Sequence, residues 1–171
     1  MALAAPPAGS DLCTQCGLCC NGALFGFVPL TEEEQARPRH HGHGARMPQP
    51  CEFLDGRTCG IYADGPPQVC SVFRCRLLRR FEAGELSLDD ALVEVAEGHR
   101  LHDTARAELE PDTQLADVYR ELAEGAAAQE EAFDMSKARR QVALITLMVY
   151  AQDHFRVPGD AADRQRTNFP G

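Results

Sequence analysis

The stretch "CTQCGLCC", residues 13–20, packs four cysteines into eight positions and leaves the last two adjacent. Four more follow at Cys51, Cys59, Cys70 and Cys75, and the remaining 96 of the 171 residues hold none. The chain is therefore under two different constraints, and the boundary between them falls close to residue 80. Its length suits one ordinary domain with its own core. With apolar residues at 44% and charged residues at 25%, composition predicts a folded body rather than disorder.

How the cysteines are read depends on the compartment. The opening decapeptide "MALAAPPAGS" has no basic region, and Pro6 and Pro7 break its weakly apolar stretch, so it does not read as a secretory signal. The longest apolar run, "VALITLMVYA" (142–151), is about half of what a membrane span needs. The expectation is a cytoplasmic protein without a membrane partner. Cytosolic thiols are kept reduced, so eight cysteines there point to metal rather than to disulfides.

Charge divides the chain at the same place. Residues 1–80 carry eight Arg and seven acids, whereas residues 81–171 carry nine basic and nineteen acidic side chains, which together give the net −9. Without a basic stripe, nucleic acid is not an expected partner, because phosphate binding needs clustered Lys and Arg. The one basic cluster, Arg74, Arg76, Arg79 and Arg80, straddles the last cysteine. Its plain reading is a solvated patch at a helix start; its sharper reading is compensation for thiolate charge, since a four-thiolate zinc site or [4Fe–4S] cluster carries a net negative charge.

The first 75 residues hold nine of the 14 Gly and eight of the 11 Pro, with little sustained periodicity. Such a lobe cannot bury enough apolar surface to order itself alone, and metal would supply the missing stability. "RPRHHGHGARMPQP" (37–50) reads as an exposed connection, and His40, His41 and His43 as loop residues before they read as ligands. Beyond residue 76 the pattern turns helical. Ser87 with an acid three residues later opens a helix that carries Leu88, Leu92, Val95, Ala96, His99 and His102 at helical spacing and ends near Pro111. A second opens at Pro111 and Asp112 with Leu115, Val118, Tyr119 and Leu122 as its stripe. A third, "SKARRQVALITLMVYAQDHF", is apolar around most of its circumference and is expected to sit most centrally. His99, His102 and His154 read as partly buried or surface residues rather than ligands. The expected architecture is mainly α, a loop-rich, metal-stapled N-terminal lobe (1–80) packed on an acidic C-terminal three-helix bundle (81–171). No phosphate loop, G-x-S-x-G or H-E-x-x-H is present, and no nucleophile and base can be paired, so the reading leans away from an enzyme.

A C-x-x-C pair closes a turn that aims two sulfurs at one metal. Here the spacing repeats as C-x-x-C-x-x-C, which crowds a single tetrahedral ion but suits a cluster whose corners are separate irons. Cys19 and Cys20 are adjacent, so their side chains diverge, which argues for two centres or for a bridging thiolate. With Cys13, Cys16, Cys19, Cys20, Cys51, Cys59, Cys70 and Cys75 the count of sulfurs equals that of two four-sulfur sites.

Together "CTQCGLCC", "CEFLDGRTCGIY" and "PPQVCSVFRC" resemble the YkgJ-like cysteine-cluster family, described as a zinc- or iron-chelating domain with a CxxCxxCC motif; the match covers about residues 13–80. The chain departs from the family's common Arg-Pro before the seventh cysteine, where it has Gly65-Pro66. The resemblance implies metal binding through the eight cysteines, in mostly bacterial cytoplasmic proteins, and implies no substrate. Three roles follow: an iron–sulfur or zinc protein in electron transfer or redox sensing, a zinc-stapled module that meets a partner protein, and a metal-dependent modification accessory.

Overall fold

Short elements occupy the cysteine-bearing part of the chain and three long helices the rest, as the switch in periodicity near residue 76 requires. The computed structural model describes residues 10–124, 134–157 and 159. The fold is mainly α. Helix α1 (Ser10–Cys16) is followed by strand β1 (Phe27–Pro29) and the single turn α2 (Glu32–Gln35). Strand β2 (Arg46–Pro48) pairs antiparallel with β1, setting Val28 opposite Met47, and β3 (Leu54–Asp55) pairs with β4 (Thr58–Cys59). Helices α3 (Gln68–Val72) and α4 (Arg76–Glu82) lead into α5 (Leu88–Ala107), α6 (Leu115–Glu124) and α7 (Met135–His154).

The long helices begin where their caps predict, with one exception. Ser87 accepts the Asp90 N–H at the start of α5, and Asp134 accepts the Ser136 N–H at the start of α7. Helix α6 starts at Leu115 rather than at Pro111. Arg106 donates to the carbonyl oxygens of Glu110, Pro111 and Thr113, which holds that stretch as a turn and delays the helix. The continuation of the second expected helix through 133 lies outside the described residues.

Three apolar clusters hold the chain together. The largest joins Leu12, Leu18, Leu24 and Phe25 to Phe73, Leu77 and Leu78 and, across α5 and the end of α7, to Ala91, Val95, Ala151 and Phe155. The second unites α5, α6 and α7 through Leu101, Ala105, Leu115, Val118, Tyr119, Leu144 and Leu147. The third, Val28, Leu30, Met47 and Val69, lies where β1 and β2 meet α3. Each of these side chains contributes about 1.5–3 kcal/mol by leaving water when it is Leu-, Val- or Phe-sized.

The expectation that α7 sits most centrally is corrected. Val142, Ile145 and Val149 on α7 are 64%, 47% and 49% exposed, and only Leu144, Leu147 and Ala151 of this helix are buried. Helix α5 takes the central place, in contact with α1, α4 and α7. Its small residues permit this: a methyl group added to Gly98 would stand 2.8 Å from Leu18 Cδ1 and 3.4 Å from Phe155. Segment 37–50 is likewise no plain exposed loop. Pro38 starts a 3-10 turn that turns His40 inward until it is fully buried, with Nδ1 2.9 Å from the Glu34 carbonyl oxygen. His41 is exposed, and His43 Nε2 lies 2.5 Å from Glu52 Oε1. Among the described residues no helix is long and apolar enough to cross a membrane.

Candidate metal centre

All eight cysteines line one cavity of about 90 Å³. Six separate pieces of chain bring them there, and each piece is fixed by local backbone geometry. Cys13 and Cys16 sit three residues apart on α1, on the same helical face. The first C-x-x-C is thus helical rather than an isolated turn. Gly17 ends α1 with φ +68°, a conformation that favours glycine, and a Cβ there would lie 2.7 Å from the Arg57 carbonyl oxygen. That contact docks the β3–β4 hairpin against the first motif. The Gly17 carbonyl then accepts the N–H groups of Cys20 and Asn21 at 2.9 and 3.0 Å, turning the chain so that Cys19 and Cys20 also reach the cavity.

The remaining four are delivered by the chain that follows. Cys51 donates its N–H to the Cys20 carbonyl at 2.7 Å and accepts the Leu54 N–H at 3.0 Å, so it stands at the entrance to the hairpin. Cys59 closes the same hairpin opposite Leu54. Cys70 lies within α3, and Cys75 caps α4, its Sγ accepting the Leu78 N–H at 3.3 Å. All eight are half-buried thiols. Cys13, Cys16, Cys19 and Cys75 pack on the largest apolar cluster, whereas Cys51 and Cys70 pack on the cluster beneath β1 and β2.

Burial dominates the electrostatics of Cys13, Cys16 and Cys75. It pushes the Cys16 thiol up to about 12, against the opposing Leu18 N–H and with help from the neighbouring Cys13 sulfur. Cys75 is also pushed up to about 12 by burial, although Leu78 N–H opposes it; Cys16 and Cys13 add to the rise. Burial raises Cys13 as well, with Arg74 acting against it. Cys13, Cys16 and Cys75 are therefore held as thiols, and a bound cation would have to displace their protons. Among the described residues, no group of three or more His, Cys, Asp or Glu side chains is gathered as around a metal ion. The cavity and this spacing are compatible: sulfurs can share one cavity wall without meeting at a point. The donor set itself, eight soft sulfurs and no carboxylate on the cavity wall, fits zinc or iron–sulfur chemistry and not a hard cation.

The arginine cluster divides. Arg74 acts on a site thiol, Cys13, and it also pairs with Glu82 at 3.1 Å. Arg76 donates to the Asp153 carbonyl, Arg79 to the Arg74 carbonyl, and Arg80 pairs with Glu94 at 3.0 Å. Arg57, which no motif singles out, also acts on a site thiol, Cys16. None of His40, His41 and His43 lines the cavity.

Two further residues hold the site and were not legible beforehand. His99, 6% exposed, lies with Nε2 2.6 Å from the Cys16 carbonyl, and since an oxygen there can only accept, Nε2 carries the proton. Glu34, 4% exposed, accepts the Thr31 N–H through Oε2 and the Gln68 N–H through Oε1 at 2.6 Å, tying α2 to the start of the helix that carries Cys70. Burial alone would raise the Glu34 carboxyl, but the hydrogen bonds from Thr31 and Gln68 outweigh it and hold it below the usual range. The Thr31–Glu34 capping box was readable in principle from "TEEE"; its long-range partner was not. His102 and His154 are half-buried, the latter 2.7 Å from Glu94 through Nδ1. The chain matches no protein-family model, no curated protein and no solved structure.

Proposed function

We propose that this is a metal-binding cysteine-cluster protein in which the eight cysteines hold two centres, iron–sulfur, zinc or one of each, and that it serves electron transfer or redox sensing. The observation that carries this reading is the convergence of all eight thiols, drawn from six pieces of chain, on a single cavity. That cysteines scattered from Cys13 to Cys75 share one lining supports a fold built around them. In this reading the N-terminal lobe is stapled by metal and rests on the helices, α1 against α5. The reading stands on the cysteine pattern and the cavity, with the resemblance to the YkgJ-like family as its first motive. Anaerobic purification under reducing conditions followed by metal, sulfide and visible-absorption analysis tests it. Brown protein with iron and acid-labile sulfide supports redox work, and metal-free protein of undiminished thermal stability refutes it. Since zinc competes well for thiolates, aerobically produced protein loaded with zinc does not decide the native metal.

A second reading, a zinc-stapled module that docks a partner protein, is favoured by one feature. Val142, Ile145 and Val149 recur along one side of α7 and stand exposed. Colourless, zinc-replete protein under anaerobic conditions would favour it over the first. Full thiolate coordination leaves no open metal position, so the modification-accessory role has least support.

A further inference from the structure

Among the described residues six large apolar side chains stand exposed, and four of them, Met135, Val142, Ile145 and Val149, lie on α7. Their positions follow a rule. Together with Ala138 and Gln152 they recur at alternating intervals of three and four residues, the heptad repeat of a coiled-coil seam. The inward side of α7 carries a separate stripe, Leu144, Leu147 and Ala151, which α5 and α6 already cover. Residues 142 and 144 stand about 200° apart around the helix, so the two stripes face opposite ways. A helix with one covered stripe and one heptad stripe in water is shaped for a second helix.

We propose that this second helix is α7 of another copy of the chain, packed antiparallel about a two-fold axis. The stripe is narrow, which suits a single facing helix rather than a lipid surface, where a broad apolar face is needed. Charge selects the copy and its direction. Helix α7 is basic at its start, with Lys137, Arg139 and Arg140, and its one acid, Asp153, lies in the last turn. Arg139 and Asp153 both occupy the heptad position that flanks the seam and that meets its own kind when two helices run antiparallel. When Ile145 is set against Val149 of the second copy, Arg139 comes opposite Asp153 of that copy, and symmetry repeats the pair. Thr146 then meets its own counterpart near the axis. A parallel pair would align the two helix dipoles and gather the Lys137, Arg139 and Arg140 cations of both copies at one end. Arg139 Nε also lies 2.9 Å from Glu108 of its own chain, a surface contact that a guanidinium with five donors can keep while it takes a second carboxylate.

The pairing requires neither metal assignment, and metal content is read separately. It is tested on the full chain in reducing buffer, so that intermolecular disulfides do not imitate it. Sedimentation equilibrium over a range of concentrations is expected to show reversible passage from one chain mass to two. Ile145→Lys, at a site already half exposed, is expected to weaken association at least about tenfold while helical circular dichroism is unchanged. Arg139→Glu and Asp153→Arg are each expected to weaken self-association, because each sets like charges across the seam. Mixed together, the two variants are expected to associate again, since each supplies the charge that the other lacks. A chain that stays monomeric at every concentration overturns the proposal, whether the seam takes another protein or nothing. Undiminished self-association of folded Ile145→Lys overturns it as well, and so does a mixture of the charge variants that associates no more tightly than either alone. Should Ile145→Lys fail to fold, the two charge variants decide.

Discussion

The backbone N–H of Cys51 donates to the carbonyl oxygen of Cys20 at 2.7 Å, which fastens the second half of the cysteine set to the first motif. Around this bond six of the eight thiols form two trios. Cys13, Cys16 and Cys75 act electrostatically on one another and pack on the largest core cluster. Cys51 and Cys70 pack on the β1–β2 cluster, with Cys20 joined to them through Cys51. Cys19 packs with the first trio, while the backbone carbonyl of Cys20 is tied to the second. Serine at a member of either trio is therefore expected to remove about half of the metal and leave the remainder bound. Metal analysis of Cys16→Ser and Cys70→Ser, alone and combined, checks this; loss of all metal from either single variant would mean one shared cluster.

Gly17→Ala introduces a methyl group 2.7 Å from the Arg57 carbonyl in a left-handed backbone. The conformational cost is ~1–2 kcal/mol and overpacking adds ~1–3 kcal/mol. Urea denaturation is expected to show a loss of roughly 2–4 kcal/mol together with reduced metal content. Unchanged stability would show that the hairpin does not rest on Gly17.

Glu34 links stability to acid. Its folded pKa is depressed, so its contribution is present above the unfolded carboxyl value near 4.3 and is lost as pH falls through the lower folded value. Glu34→Ala is expected to cost about 1–3 kcal/mol at neutral pH, because the Gln68 N–H loses its acceptor. The variant's stability should also fall less steeply below pH 4.3 than that of the wild type. Parallel acid profiles for the two proteins would assign the acid response to other groups.

Metal-free protein should weaken in alkali. Cys16 and Cys75 have folded values raised to about 12, so their burial stabilises the fold below the unfolded thiol value near 8.5 and is progressively lost above it. Chelated, reduced protein is expected to lose stability between about pH 8.5 and 12, and Cys16→Ala to flatten that decline. A flat wild-type profile would contradict the burial of these thiols.

Chelation should also act unevenly along the chain. The α5–α6–α7 cluster contains no residue of the cysteine segment, so hydrogen exchange is expected to stay slow around Leu101, Leu144 and Leu147 after metal removal and to accelerate over residues 13–75. Helices α4 and the first half of α5 share their core with Leu12 and Leu18, and they should loosen in part. Uniform acceleration throughout would make the chain one cooperative unit.

The change from short elements to long helices, the helical starts at Ser87 and near residue 135, and the presence of eight cysteines were all legible from local signals: composition, caps and spacing. Periodicity also found the stripe of α6, though not its first turn, because the Arg106 contacts that delay it are tertiary. It misjudged α7, since an apolar circumference does not state which side a neighbour covers. The inward turn of His40, the reach of Glu34 to Gln68, and His99 beneath Cys16 could not be read, because each pairs residues distant in the chain or depends on a backbone turn. The sequence by itself determined which donors the protein carries and that they are soft. Only the tertiary structure decided that six pieces of chain meet at one cavity, since that meeting depends on a close approach at Gly17, a small residue at Gly98 and backbone hydrogen bonds, none of which has a periodic signature.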